Sequence, residues 1–206
     1  MRLWLLLGLR SARFVLPLAG ELLLLLLVYL YAGNPVRDSY AATALYLIGL
    51  GAWMALSVLD AGDPVVRELA VVRRGRLGVD AARLAGALAI VAAMALVATV
   101  APAVAGAFDH PPSAHELLVG LLAHLACGTI GVGLAACVAR PVLDRAALAA
   151  AAVVGGILAL VVAELPPMSL LDALHDGGTT TGPLLAAAAL AAALLALALS
   201  LMGRRA

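Results

Sequence analysis

The amino-acid sequence predicts an all-α integral membrane protein that forms a single domain, residues 1–206, with six transmembrane helices. Of the 206 residues, 65% are hydrophobic and only 12% are charged, whereas soluble domains have about 45–50% apolar and about 25% charged residues. Apolar segments alternate with short polar loops, and each segment approaches the roughly 20 residues needed to cross a bilayer. The 13 basic residues are all arginines, and they concentrate in alternate loops.

The six predicted spans follow one another with short connections. They cover residues 14–31, 40–59, 81–108, 114–139, 145–165 and 183–202. Residues 1–13 are apolar with three arginines and predict a helix on the cytoplasmic membrane surface. Residues 164–182 predict a short helix on the outer surface, with Ser169 at its start and Gly177 at its stop.

Local signals mark where several of these spans begin. Ser39 and Asp80 are predicted as N-caps of the second and third spans. Ser113 and Glu116 have the spacing of a capping box before the fourth span. If the N-terminus is cytoplasmic, 12 of the 13 arginines lie on the inner side and only Arg37 lies outside. This asymmetry predicts an inner or plasma membrane protein with both termini in the cytoplasm.

The cytoplasmic loop 60–80 contains a short helix with both ends marked. Asp63 is a good N-cap and Pro64 suits the first helical position. Arg73 and Arg74 fall in the last turn, where positive charge favours the negative end of the helix dipole. Gly75 is the natural residue just beyond the end. Such marked ends predict a defined helix rather than a loose connection.

This helix is predicted to be amphipathic. Val65, Leu69 and Val72 share one face, while Arg67 and Glu68 point elsewhere. One interpretation is a surface that binds a cytoplasmic protein partner. The other is a helix that lies among lipid headgroups, to which arginines are attracted. The pattern favours neither interpretation over the other.

The fourth span is predicted to be a packing helix. It contains four glycines, and small residues let helix backbones approach closely within lipid; they are Gly120, Gly128, Gly131 and Gly133. His124 lies in the same span, and we interpret it as a hydrogen-bonded packing residue rather than a ligand or proton relay. Cys127 and Cys137 are predicted to be inert buried thiols that face different sides.

Two acidic residues complete the candidates for intramembrane function. Glu21 lies within the first third of the first span, where an ionisable group is a functional hypothesis by default. It could instead reach the cytoplasmic interface or pair with an arginine, and a structural role is favoured. Glu164 lies at the outer end of the fifth span. His124 is the third candidate.

Several functional classes lack support in the sequence. The absence of lysine excludes a P-loop and Schiff-base chemistry, and no G-x-S-x-G or H-E-x-x-H motif is present. We therefore assign no catalytic residues and no enzymatic activity. A net charge of +1 gives no reason to expect nucleic-acid binding. Asp109, His110 and His115 are too loosely spaced to predict a metal site.

The order of these features resembles the membrane subunit of an ABC exporter of the type-2 (ABC-2) class. MRLWLLLGLRSAR resembles the family's connecting helix, and DPVVRELAVVRRGRLGVDAARLAGAL resembles its coupling helix and the re-entering span. ELPPMSLLDALHDGG resembles its external helical hairpin. The membrane subunits of haem exporters in cytochrome c maturation share this plan.

The resemblance implies a permease subunit whose partners are a second permease copy or paralogue, membrane lipid and a soluble ABC ATPase. ATP and Mg²⁺ would be bound by the ATPase and no cofactor by this chain. Spans lined with Ala, Leu and Gly suggest a substrate that is apolar or amphipathic, such as a drug, lipid or lipopeptide. The residues expected to couple to the ATPase are Asp63, Pro64, Val65, Arg67, Glu68, Leu69, Val72, Arg73 and Arg74.

Two other classes of function remain open. One is a self-contained carrier or channel that is driven by a proton gradient and uses Glu21, His124 and Glu164. The other is a membrane scaffold without transport activity. A requirement for an ATPase subunit favours the exporter, whereas activity without an ATPase that is lost on changing Glu21 or Glu164 favours the carrier.

Overall fold

A computed structural model describes residues 15–30, 33–60, 64–139 and 146–204, without the side chains of residues 64–67, 146 and 203–204. Within these ranges the chain is helical and has no strand. The seven helices are α1 (Val15–Val28), α2 (Val36–Leu59), α3 (Pro64–Ala105), α4 (Ala114–Val138), α5 (Ala146–Val162), α6 (Pro166–His175) and α7 (Thr181–Arg204). The predicted surface helix 1–13 lies outside the described residues.

Four of these helices are long and apolar enough to cross a membrane. They are α2, α4, the part of α3 from Glu68 to Ala105, and α7 up to Met202. The consecutive helices α5 and α6 pass the same test together but are bent by 54°, so they provide at most a fifth span. The described part of α1 has only 14 residues. The predicted all-α fold is thus confirmed in the described chain, and its four or five candidate spans support a membrane location.

Helix α3 is divided by a break at Gly75. The backbone there has φ 72° and ψ 158°, a combination that is essentially restricted to glycine. We call residues 64–74 the short arm and residues 76–105 the long arm. The predicted helix start at Pro64 and stop at Gly75 are both confirmed. The predicted cap at Asp80 is wrong, because the long arm is already helical before this residue.

Helix α4 lies at the centre and packs most closely on α2. A β-carbon built on Gly131 would contact the carbonyl oxygen of Ile48, and one on Gly51 would lie 2.9 Å from the carbonyl oxygen of Gly128. A β-carbon on Gly133 would lie 2.7 Å from Leu194 on α7. Helix backbones can approach this closely only where side chains are absent. The prediction of α4 as a packing helix is therefore confirmed, and we call its contact with α2 the α2–α4 seam.

Two loops at the predicted outer end are joined through their backbones. The amides of Gly33 and Asn34 donate hydrogen bonds to the carbonyl of Ala107, at 3.0 and 3.3 Å. The amide of Asp109 donates to the carbonyl of Asn34 at 3.0 Å. These bonds hold the start of α2 next to the end of the long arm. The loops thereby fix the ends of two helices that line the buried core.

The helix ends show which local signals decide the structure. The capping box of Ser113 and Glu116 is confirmed. Ser39 and Ser169 are not N-caps: α2 begins at Val36 and α6 at Pro166. Pro35 directly precedes α2, and the Ser39 hydroxyl donates a hydrogen bond to its carbonyl. Pro166 begins α6, and the Ser169 hydroxyl donates to the Pro166 carbonyl. Gly177 has φ 67° and ends α6 as predicted.

Candidate functional sites

The short arm presents an apolar ridge that the described chain does not cover. Leu69 is 64% exposed and Val72 is 87% exposed. The two residues are three apart and therefore share one face of the helix. The charged residues Glu68, Arg73 and Arg74 are exposed as well. The arm thus offers apolar and charged groups together on an accessible surface.

Some predicted coupling residues cannot be placed on this surface. Asp63 lies outside the described residues, and the side chains of Pro64, Val65 and Arg67 are not described. The ridge therefore consists of Leu69 and Val72 as far as the structure describes it.

Two charged residues in the first turns of the long arm are buried. Asp80 is 6% exposed and Arg83 is 5% exposed, and both have polar or electrostatic interactions. They are three residues apart, on neighbouring positions of one helical face. Sequence reasoning placed Asp80 at a helix end and so missed this pair. The sequence signal for this pair is the spacing of Asp80 and Arg83, which places an acidic and a basic side chain on one helical face near the start of an apolar helix.

A second candidate site lies inside the helix bundle around His124, whose relative exposure is 0%. Its Nδ1 is 2.7 Å from the carbonyl oxygen of Gly120 and 3.4 Å from Oγ1 of Thr99. Its Nε2 is 2.8 Å from Oγ1 of Thr43. The Tyr40 ring meets the imidazole edge-on at 5.7 Å. We call His124, Thr43, Thr99 and Tyr40 the polar core.

The hydrogen-bond partners of His124 determine which ring nitrogen carries hydrogen. The Gly120 carbonyl can only accept, so Nδ1 must be the donor. Nε2 is then an acceptor in the neutral ring and a donor in the charged ring. The Thr43 hydroxyl can donate to Nε2 of the neutral ring. It can accept from Nε2–H of the charged ring while it donates its own hydrogen to the Ser39 carbonyl at 2.8 Å. The polar core can therefore accommodate His124 in both protonation states.

Glu21 lies in α1 beside this core. Its side chain is buried, with 4% relative exposure, and its Oε1 atom is buried without a hydrogen-bond partner. It lines a small cavity between α1, α2 and the long arm, together with Thr43, Tyr46, Leu24, Leu25, Leu47, Leu50 and Ala98. Thr43 thus contacts the Glu21 cavity on one side and His124 on the other. Of the three predicted intramembrane residues, His124 contacts Thr43 and Glu21 lines the cavity that Thr43 also lines.

Glu164 lies elsewhere. It is exposed at the bend between α5 and α6 and has a positive φ of 48°. A positive φ is uncommon for a residue with a β-carbon and is typical of a tight turn. Glu164 therefore belongs to the bend that separates the two helices and not to the polar core.

Polar side chains also gather at the predicted outer end. Arg37 lies 3.9 Å from Glu116, and His175 lies 3.0 Å from Asp38. These contacts link α2 to α4 and to α6, around a pocket that Tyr40 and His115 help to line. Within the described ranges no group of three or more His, Cys, Asp or Glu side chains has the geometry to hold a metal.

A comparison with protein-family models found no match, and comparisons with curated proteins and with solved structures found none either.

Proposed function

We propose that this protein is the membrane subunit of an ATP-driven exporter and that the short arm of α3 docks on a soluble ABC ATPase. The observation that carries the proposal is the exposed ridge of Leu69 and Val72, on a helical segment set off from the long arm by the break at Gly75. Apolar side chains on an amphipathic helix are suited to a groove on another protein. The resemblance of the sequence to ABC-2 permeases implies that the partner is a soluble ABC ATPase.

The charged residues of the arm support a specific docked orientation. Glu68, Arg73 and Arg74 are exposed beside the ridge. Charges at the rim of an interface steer association and fix the register of the partners. In this proposal ATP-driven closure of the ATPase displaces the short arm. The long arm begins directly after Gly75, and it would carry that displacement into the bundle.

The proposal includes six spans with both termini in the cytoplasm, one more span than the largest number found in the described chain. The predicted first span, residues 14–31, of which α1 is the described part, would supply this span. A single cysteine at Thr179 should react with a membrane-impermeant reagent in intact cells, whereas one at Val72 should not. Both side chains are exposed, and Cys127 and Cys137 would first be replaced. Labelling of Val72→Cys but not of Thr179→Cys would contradict this orientation.

Leu69→Asp tests the docking directly. A charge placed in an apolar groove costs several kcal/mol unless it is paired, so copurification of the ATPase should fall at least tenfold, with membrane insertion unchanged. Leu77→Asp is the matched control, since Leu77 lies on the same helix beyond Gly75 and is 58% exposed. It should retain the ATPase.

The wild-type complex should contain two permease chains when its mass is measured by native mass spectrometry.

An ATPase that remains bound and coupled to the Leu69→Asp variant would contradict the proposal. Equal loss in the Leu69→Asp and Leu77→Asp variants would also contradict it, because the effect would then not be specific to the short arm.

A further inference from the structure

We propose that Glu21 and His124 form a proton-exchanging pair joined through the hydroxyl of Thr43, and that the bundle thereby holds one transferable proton in its interior. This inference rests on the geometry of the polar core and not on the docking of an ATPase. The protonated pair would consist either of a neutral carboxylic acid and a neutral imidazole or of a carboxylate and an imidazolium.

The first argument is the state of Glu21. A carboxyl group with 4% relative exposure and an unpaired buried oxygen is costly in a membrane interior. Its neighbours on the cavity wall are apolar except for Thr43 and Tyr46. No basic side chain of the described chain lines the cavity to balance a carboxylate. An acid in this position therefore needs a proton of its own or a positive charge nearby.

The second argument is that the surroundings of His124 can stabilise that positive charge. In the charged ring, Nδ1–H donates to the Gly120 carbonyl at 2.7 Å and Nε2–H donates to Thr43 Oγ1 at 2.8 Å. Thr99 Oγ1, at 3.4 Å from Nδ1, adds a weaker acceptor while its own hydrogen is donated to Ala95 at 2.8 Å. An imidazolium would thus have acceptors at both nitrogens, as a buried cation requires.

The third argument is the path between the two groups. Thr43 contacts His124 directly and also lines the Glu21 cavity. The volume of this cavity, about 10 Å³, is about that needed for one water molecule. A proton leaves the Glu21 carboxyl for the Thr43 hydroxyl through one water, and the hydroxyl passes its own hydrogen to Nε2. The products are carboxylate and imidazolium, and the net charge of the pair is unchanged. The exchange therefore avoids creating an isolated charge in a low dielectric.

The other polar groups near the pair in the described chain are hydroxyls, including the buried hydroxyl of Tyr29, which lies near Thr43. On α2, Tyr40 stacks edge-on against the imidazole and donates its hydroxyl hydrogen to the Thr99 carbonyl at 3.0 Å. Also on α2, Tyr46 lines the cavity and is 44% exposed. On the long arm, the Thr99 hydroxyl faces His124, and the apolar Ala98 lines the cavity. Glu21 is thus the acidic residue of the described chain that can exchange a proton with His124 through Thr43.

The test is ¹⁵N NMR of histidine-labelled permease alone in lipid nanodiscs, with the His124 signals assigned from a His124→Gln sample. The infrared carbonyl band of the protonated Glu21 carboxyl, assigned from Glu21→Gln, is followed in the same samples. The exchange takes up no net proton, so the two signals are compared at one fixed pH while the temperature is varied. In the wild type the imidazolium signal should rise by the amount that the carboxyl band falls. Populations that change independently, or a His124 that stays neutral throughout, would overturn the proposal.

Variants test the route and the counter-charge. Glu21→Gln keeps the side-chain shape and should lower the imidazolium population at least tenfold at the pH where the wild type is half charged, since the carboxylate stabilises the cation. Thr43→Val should have a similar effect because Nε2 loses its acceptor. Ser39→Ala is the control: its hydroxyl lies one turn away and bonds Pro35, so the spectra should match the wild type. An unchanged His124 in Glu21→Gln would refute the pair, whatever the outcome for ATPase docking.

Discussion

The α2–α4 seam and the short arm of α3 place their apolar side chains in opposite environments. In the seam Leu47, Ile48 and Ile130 are at most 1% exposed. On the short arm Leu69 and Val72 are 64% and 87% exposed. The seam packs its apolar side chains within the chain, where close van der Waals contact holds helices together. No part of the described chain covers the ridge of the short arm.

The two regions also use glycine for different purposes. In the seam, Gly131 and Gly51 allow two helix backbones to touch. At the base of the arm Gly75 has open space around it, and its φ of 72° is what requires glycine. The seam therefore depends on the absence of a side chain, and the arm depends on a backbone conformation. This difference separates substitutions that destabilise the bundle from substitutions that redirect the arm.

Gly131→Ala should have the largest effect on stability. Its β-carbon would meet the backbone at Ile48 and lie 3.0 Å from the amide nitrogen of Ala52, and backbone atoms cannot move aside as the end of a side chain can. Overpacking of this kind typically costs about 1–3 kcal/mol. Thermal unfolding followed by circular dichroism in one detergent should show a lower midpoint than the wild type.

Gly155→Ala is the matched control on α5, because a β-carbon there meets nothing within 4 Å. Alanine favours a helix over glycine by about 1 kcal/mol, so the unfolding midpoint should stay or rise. Equal destabilisation by the two substitutions would show that the tight α2–α4 contact does not hold the bundle together.

Gly75→Ala should have a smaller effect on stability and a specific effect on the arm. Alanine at this φ and ψ is strained by about 1–3 kcal/mol, so the chain should adopt another backbone conformation and turn the short arm. The distance distribution between spin labels at residues 69 and 77 should therefore change. Gly78→Ala is the control, since a β-carbon there makes only an ordinary contact of 3.6 Å with Arg74. A wild-type distribution in Gly75→Ala would contradict the role of the break.

Features set by neighbouring residues could be predicted from the sequence. The glycine break at Gly75 and the capping box of Ser113 with Glu116 depend on residues within one turn. The prediction of Ser39 as an N-cap was wrong because Pro35, four residues earlier, determines where the helix begins. Competing local signals of similar strength therefore shift a helix end even where the helix itself is predicted correctly.

The polar core could not be predicted in the same way. Thr43, Thr99 and His124 come from three helices, and Thr43 is separated from His124 by 81 positions. Their meeting depends on how each helix is rotated about its axis, and these spans are apolar around most of their circumference. The burial of Glu21 against α2 depends on the same rotations. The sequence identified Glu21 and His124 as candidates but contained no signal that Thr43 contacts His124 and also lines the cavity beside Glu21.

The most direct test of the proposed function is photo-crosslinking in native membranes from position 72, which is 87% exposed on the short arm. A photoreactive residue there should give an adduct with a subunit that binds ATP, and Leu69→Asp in the same chain should abolish that adduct. The same probe at Leu185 on α7, which is 66% exposed, should give lipid adducts. Lipid adducts alone at both positions would contradict the account, because the arm would then lie on the membrane surface.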